Sequence, residues 1–370
     1  MAEISSSERL QLENMLQKTS KDLFFLKFET PFSPVGSFKE ASFRGCHHKR
    51  QFHDPDIALE IGIDLLEVFS EAKKVFQHRL RSTDISLEEK FGKDVQRAYQ
   101  HWLDFIPVED DVLLEIRQQW ENKHWENKFD FNIFAAEKIL LPLSGGKCLI
   151  NSDHKPALKK SRRHGKSKVP LLLPYEFGWK GLGMGFEDAF YGEPDLLVIP
   201  EEQEDEHIVC SGAAFVAIKG GRGRGRGRKN RREFQFKPDV HELSECIAIA
   251  ITFATIQSRR KIHGSPTIRI HPAGFDLVVY NPEFDVLLIS YFGWTRKSFL
   301  ILWIVLHYKI FPVTHTCMRD LQECSSGYVS FIKQCNKLPK ATYQYGTSKE
   351  LLAPYKESYF RDNFDFSYRK

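Results

Sequence analysis

The sequence of 370 residues lacks the features that identify several common classes of protein. No apolar stretch follows the polar N-terminus Met1–Arg9, so a secretory leader is not indicated. The most apolar segment, Phe299–Leu306, is too short to span a bilayer and is typical of a buried helix. These absences predict an intracellular protein without a membrane-spanning segment.

The cysteine pattern indicates neither a disulfide framework nor a metal site. The seven cysteines are odd in number and form no Cys-x-x-Cys pair, so we expect reduced thiols. The cluster Cys46-His47-His48 with His53 lacks the second ligand pair of a structural zinc site. The chain also lacks a Gly-x-Ser-x-Gly elbow and a P-loop, so serine hydrolases and nucleoside triphosphatases are not favoured.

The net charge of +4 conceals a separation of charge along the chain. Acidic residues are absent from 155–168 and 222–232, and each segment carries seven Lys or Arg residues. Subtracting these fourteen charges from +4 leaves −10 on the rest of the chain. Basic segments beside an acidic body are typical of arms that bind a polyanion, or of solvated loops and nuclear-import signals.

These segments predict a nuclear protein whose partner is nucleic acid, either DNA or RNA. Glycine alternates with arginine in Gly220–Arg228, which would leave the backbone free to follow a phosphate chain. The residues expected to contact nucleic acid are Lys159, Lys160, Arg162, Arg163, Arg222, Arg224, Arg226, Arg228, Arg231 and Arg232.

Hydrophobic periodicity divides the chain into three regions. Helical spacing dominates from about residue 57 to 125 and predicts a helical N-terminal region over 1–127. Helix 128–143 then begins an α/β core, predicted over 128–310 with basic loops 155–168 and 220–232. Within that core we predict a glycine- and aromatic-rich loop at 178–192, a helix at 239–260, and strands at 267–270, 275–280 and 286–290. The remaining residues, 311–370, are predicted to be a C-terminal extension.

Two apolar runs, Pro194–Pro200 and Ala213–Gly220, predict a β-hairpin with an acidic turn. Asp195 begins the first run and Lys219 ends the second, so both would lie at one end of the hairpin. A carboxylate there could hold a divalent metal, and the ammonium group could stabilise charge on a phosphate. A purely structural interpretation is that Asp195 starts a strand and Lys219 is a solvated edge charge.

The order helix, three strands, helix and strand, together with Pro194-Asp195 and Ile218-Lys219, resembles the PD-(D/E)XK phosphodiesterase superfamily over about residues 130–290. This resemblance implies a restriction-endonuclease-like α/β fold, with a mixed sheet flanked by helices. It also implies a nuclease, an enzyme that hydrolyses DNA or RNA with magnesium, or with manganese as a substitute. In that family an acid lies on the second core strand, an acid-x-Lys motif on the third, and often a Glu on the first helix. Asp195, Lys219 and Glu137 occupy the corresponding places.

The sequence departs from this pattern at Ala217, where the family has Asp or Glu. In an active enzyme the next helix would supply the acid through Glu242 or Glu245. The metal ligands would then be Asp195, the Ile218 carbonyl and a helix carboxylate, which is Glu242, Glu245 or, as a further alternative, Glu137. Glu242 also fits a capping box with Asp239. The sequence is also compatible with an inactive nucleic-acid-binding module, a protein-interaction scaffold with basic import signals, or an unrelated α/β domain.

Overall fold

The computed structural model describes fifteen separate stretches of the chain. They are residues 4–17, 22–28, 43–45, 62–81, 85–121, 128–151, 175–179, 184–186, 190–192, 195–199, 216–220, 246–251, 254, 264–314 and 324–328. Within these stretches the protein is mixed α/β, as the sequence predicts. None of the helices described there has both the length and the apolar content needed to span a membrane.

The described residues of the predicted N-terminal region include six α-helices as well as three strands. The helices are α1 (Ser6–Leu16), α2 (Leu65–Val68), α3 (Ser70–Leu80), α4 (Leu87–Phe91), α5 (Lys93–Phe105) and α6 (Glu109–Glu121). The helical pattern begins later than predicted, because Gly62–Ile63 pairs with a strand instead of continuing the helix. Asp64 then caps α2 by accepting a hydrogen bond from the Leu66 amide.

Three further helical segments follow. Helix α7 (Lys128–Ala135) continues through a π-helical turn, Ala136–Leu140, into α8 (Leu141–Ser144). Residues 246–251 and 254 are helical within the predicted helix 239–260. Helix α9 (Arg296–Leu306) begins with a capping box between Thr295 and Ser298 and is buried along its length from Ser298.

Twelve strands are described. They are β1 (Leu23–Phe28), β2 (Phe43–Gly45), β3 (Gly62–Ile63), β4 (Lys147–Asn151), β5 (Tyr175–Trp179), β6 (Met184–Phe186), β7 (Phe190–Gly192), β8 (Leu196–Ile199), β9 (Val216–Gly220), β10 (Ser265–His271), β11 (Gly274–Asn281) and β12 (Val286–Gly293). The prediction of a loop at 178–192 is wrong, because the end of β5 and the strands β6 and β7 form there. Short aromatic-containing segments pair there, β5 with β4 and β6 with β7, despite the many glycines.

A single mixed sheet joins ten of these strands in the order β2-β1-β12-β11-β10-β9-β8-β4-β5, with β3 paired to β1. Strands β9 and β10 run parallel, as do β4 and β5, and the other neighbours are antiparallel. The predicted hairpin is confirmed, because β8 and β9 pair antiparallel. Strand β1 lies within the predicted N-terminal region and pairs with β12 of the predicted core.

Side-chain alternation gives the sheet two different faces. One face packs against α7 and α8, in an apolar core that also includes residues of α5 and α9. The strand residues of this core include Leu196, Val198, Ile268, Ile270 and Leu277. Residues on a strand alternate between faces, so their chain neighbours lie on the opposite side. Several of those neighbours are polar and buried, namely Asp195, Thr267, Arg269, His271 and Asp276. The polar face contains the predicted catalytic position at Asp195.

Candidate active site

The register of the β8–β9 pair places positions 195 and 219 opposite each other. Leu196 pairs with Ile218 and Val198 with Val216, and one further step along the same register joins 195 to 219. Directly opposed residues share one face of an antiparallel pair, with their Cβ atoms about 5 Å apart. Asp195 is 5% exposed. The two predicted catalytic positions therefore belong to one end and one face of the sheet.

Position 219 is also part of a longer polar row across the sheet. Lys219 is in register with Arg269 on β10, and Arg269 is in register with Asp276 on β11. Asp276 is in turn in register with Tyr291 on β12. Neighbouring positions in such a row are about 4.8 Å apart between strands. The row, 195–219–269–276–291, thus crosses five consecutive strands.

A buried ion pair occupies the middle of this row. The Arg269 Nε donates a hydrogen bond to Asp276 Oδ2 at 2.8 Å, and a second guanidinium nitrogen lies 2.7 Å from the same oxygen. The two side chains are only 1% and 3% exposed. Such a pair needs good geometry because both charges have lost their hydration. Arg269 is therefore held in a fixed position beside 219.

His271 borders the ion pair as a neutral imidazole. Its Nδ1 accepts a hydrogen bond from the Ala273 amide at 3.2 Å, which leaves the proton of the neutral ring on Nε2. The Nε2 atom lies 3.8 Å from Asp276 Oδ2. Burial and the neighbouring Arg269 charge lower the pKa of His271 to about 3. The ring is therefore uncharged at neutral pH and is poorly suited to act as a general base.

Tyr291 forms the exposed end of the row. Its ring is parallel to that of His271 to within 4°, at a centroid distance of 5.8 Å. The Tyr291 hydroxyl donates to the Ala273 carbonyl at 2.8 Å, and Trp294 Nε1 donates to the His271 carbonyl at 3.1 Å. Burial and the Asp276 charge raise the pKa of the Tyr291 phenol. The polar row thus ends in an anchored aromatic side chain.

The site lacks a carboxylate at position 217, two residues before Lys219 on β9. Ala217 is in register with Leu197 on β8 and Thr267 on β10. Thr267 is fully buried, and its hydroxyl oxygen has no hydrogen-bond partner among the residues that the structure describes. The described residues contain no cluster of three or more His, Cys, Asp or Glu side chains that could bind a metal. Asp195 is therefore the acid that these strands offer to a cation at this end of the sheet.

The other predicted metal-site residues have different positions. Ile218 lies in β9, in register with the apolar residues Leu196 and Ile268. Glu137 is in the π-helical turn, whose neighbours Ala136 and Ile139 join the apolar core on the face opposite the polar row. Glu242 and Glu245 lie outside the described residues. The ten predicted nucleic-acid contacts also lie outside them, in segments 155–168 and 222–232.

Sequence reasoning did not find Arg269, His271, Asp276 and Tyr291. A signal for two of them was present, because β10 and β11 flank the short turn at Pro272 and Ala273. Counting outward from this turn pairs 271 with 274 and 269 with 276, which brings opposite charges together. Tyr291 had no comparable signal, since its place in the row depends on the register of β12.

Comparison with known proteins adds no assignment to this geometry. No family model, no curated protein and no solved structure matches the chain.

Proposed function

We propose that this protein is a restriction-endonuclease-like nuclease that hydrolyses phosphodiesters of DNA or RNA with magnesium or manganese. The observation that carries the proposal is the β8–β9 register, which brings positions 195 and 219 together at one end of the sheet. Asp195 would bind the cation, and Lys219 would orient the attacking water or stabilise charge on the phosphate. The nuclear location remains a prediction from the basic segments.

The connectivity of the strands supports this proposal. Helix α7–α8 is followed in the chain by β4, then by the short strands β5, β6 and β7, and then by β8, β9, the helical residues 246–251 and 254, and β10. Strands β4, β8, β9 and β10 are consecutive neighbours in the sheet, with β8 antiparallel to both of its neighbours and β9 parallel to β10. When β5, β6 and β7 are treated as an insertion, the order helix, three strands, helix and strand is the one that the PD-(D/E)XK resemblance implies for residues 130–290.

The two basic segments support nucleic acid as the substrate class. Together they carry fourteen positive charges against −10 on the rest of the chain. Strand β9 ends at Gly220, at the same end of the sheet as the candidate site, and segment 222–232 begins two residues later in the sequence. Contacts between arginines and phosphates are independent of base sequence and are weakened by salt. We therefore expect low sequence preference and a steep loss of binding as salt concentration rises.

A nuclease assay tests the proposal directly. Purified protein is incubated with labelled single- and double-stranded DNA and RNA, with magnesium, manganese or a chelator. We expect metal-dependent cleavage that falls on the order of 100- to 1,000-fold in Asp195→Asn and Lys219→Ala, as when one transition-state charge contact is lost. Matched controls are Asp104→Asn and Lys138→Ala, which change exposed side chains of α5 and the π-helical turn. Cleavage unaffected by the two site variants would refute the assignment.

Ala217 favours a second candidate function, a nucleic-acid-binding module without catalysis. A single carboxylate and a carbonyl bind magnesium poorly, since that ion requires several hard oxygen ligands. In this case the protein would bind the labelled DNA or RNA, and neither magnesium nor manganese would support cleavage. The absence of both binding and cleavage in a folded protein would favour the third candidate, a protein-interaction scaffold with basic import signals.

A further inference from the structure

Tyr291 on β12 is an exposed aromatic residue, whereas Asp276, its neighbour in the polar row, is buried. Its side chain is 40% exposed, whereas Asp276 beside it is 2% exposed. The other large apolar side chains with comparable exposure among the described residues lie in the N-terminal helical region or its connections; they are Leu10, Ile85, Val108 and Leu114. Tyr291 therefore presents aromatic surface to solvent at the end of the row.

The Tyr291 ring is fixed in orientation although it is exposed. Its hydroxyl is anchored to the Ala273 carbonyl at 2.8 Å, and its ring is parallel to His271. Gly274 provides space for this arrangement, because a Cβ atom there would lie 2.9 Å from the Tyr291 hydroxyl and 2.2 Å from the Phe292 carbonyl oxygen. Because the Tyr291 side chain is already held in place, a ligand that stacks on the ring would cost little side-chain entropy, and this favours binding.

The charge distribution along the sequence indicates which planar ligand would stack on the ring. Tyr291 is three strands from position 219, or about 14 Å at about 4.8 Å per strand. A few unstacked nucleotides can cover that distance. The basic segments 155–168 and 222–232 would attract the phosphates of the same strand. Every nucleobase has a π-face that can stack on an aromatic side chain, so this contact needs no particular base sequence.

We propose that Tyr291 is a stacking platform for one base of a single-stranded nucleic acid whose backbone enters the candidate site a few nucleotides away. This inference takes its ligand class from the proposed function but does not require that the strand be cleaved. Tyr291 contributes affinity for the unpaired strand, and the hydroxyl bond to Ala273 keeps the ring in place for stacking.

Binding of a labelled single-stranded oligonucleotide tests the platform without requiring catalysis. Fluorescence anisotropy is measured in a chelator, so that no strand is cut. We expect Tyr291→Ala to weaken binding by about 5- to 150-fold, the range for loss of one base–aromatic stack. Tyr291→Phe should bind within a few-fold of the parent, because it retains the ring. The matched control is Leu114→Ala, which truncates an exposed apolar side chain of α6.

A second measurement keeps the test decisive if Tyr291→Ala fails to fold. Tyr291→Trp should retain binding. The oligonucleotide should also quench more tryptophan fluorescence in this variant than in the parent protein, because the added indole lies at the binding site. The platform is refuted if Tyr291→Ala binds as tightly as the parent, or if Tyr291→Trp binds without added quenching. Binding of an oligosaccharide or a peptide in place of the oligonucleotide, with the same dependence on Tyr291, also refutes it.

The outcomes for the platform and for catalysis are separable. Cleavage that requires Lys219, together with unchanged binding in Tyr291→Ala, retains the nuclease and refutes the platform. Binding that requires Tyr291, with no cleavage in any metal, supports the platform and refutes catalysis. Failure of the parent protein to bind any oligonucleotide refutes the platform, whatever the cleavage assay shows.

Discussion

The buried Arg269–Asp276 pair makes a quantitative prediction about stability. Asp276→Asn preserves the shape of the side chain but removes its negative charge. Arg269 is 1% exposed, so its guanidinium would remain buried without a compensating charge. Removing one partner of a buried ion pair costs about 3–5 kcal/mol, whereas exposed pairs contribute about 0–1 kcal/mol. We expect Asp276→Asn to lower the free energy of unfolding by about 3–5 kcal/mol.

Urea unfolding, followed by tryptophan fluorescence, measures this change. The matched control is Glu71→Gln, which breaks the Lys74–Glu71 pair on α3 at 2.6 Å; those side chains are 61% and 42% exposed. We expect the control to lose no more than about 1 kcal/mol. Equal losses in Asp276→Asn and Glu71→Gln would refute the argument from burial.

A double substitution separates the cost of a buried charge from the loss of packing. Arg269→Met with Asp276→Leu removes both charges while keeping apolar volume in the same place. Replacing a buried pair by apolar residues is often neutral or stabilising. We therefore expect the double variant to be more stable than Asp276→Asn. A double variant that is equally unstable would show that the cost of an unpaired buried charge is not the cause.

Two further predictions follow from single residues. Ala217→Asp introduces a carboxylate at the position in register with Thr267. One additional charged ligand is worth at least about 1.4 kcal/mol, so we expect the metal concentration for half-maximal cleavage to fall about tenfold or more. A metal titration checks this, and an unchanged midpoint would contradict it. Burial lowers the pKa of His307 to about 4, so from pH 6.5 down to 4 the unfolded chain takes up a proton that the folded chain does not. The free energy of unfolding should therefore fall by about 1.4 kcal/mol for each pH unit of acidification in that window. Urea unfolding at several pH values measures this, and His307→Gln should remove the contribution. If the free energy of unfolding depends on pH in the same way in the parent and the variant, the prediction is contradicted.

Strands with strong alternation or continuous apolar character were predictable from the sequence. The hairpin β8–β9 and the strands β10, β11 and β12 formed close to their predicted positions, because Val, Ile and Leu dominate them and polar turns separate them. Local composition was misleading at 178–192, where glycine suggested a loop. Three short strands form there or at its edge, since aromatic residues between the glycines pair with neighbouring strands.

Long-range pairing was not accessible to local pattern reasoning. Strand β1 pairs with β12 across more than two hundred residues of chain, and no periodicity in Leu23–Phe28 indicates that partner. The same limit applies to the polar row, whose members occupy five strands. Local sequence also gives no sign that Arg269 and Asp276 are buried, because their burial depends on what covers the sheet. Asp195 and Lys219 were found because a single hairpin joins them.

The charge balance of the row distinguishes the two proposed functions. Lys219 has Asp195 on one side and Arg269 on the other, and Asp276 already neutralises Arg269. The four formal charges therefore cancel without any cation. An acid at position 217, two residues along β9 from the row and on the same face, would add one uncompensated negative charge beside it, and metal binding would relieve this charge. With Ala217, a cation instead adds positive charge that must be neutralised by a phosphate or by a carboxylate from another segment. The neutral row by itself therefore does not require a cation, and catalysis would require an acid supplied from beyond the strands.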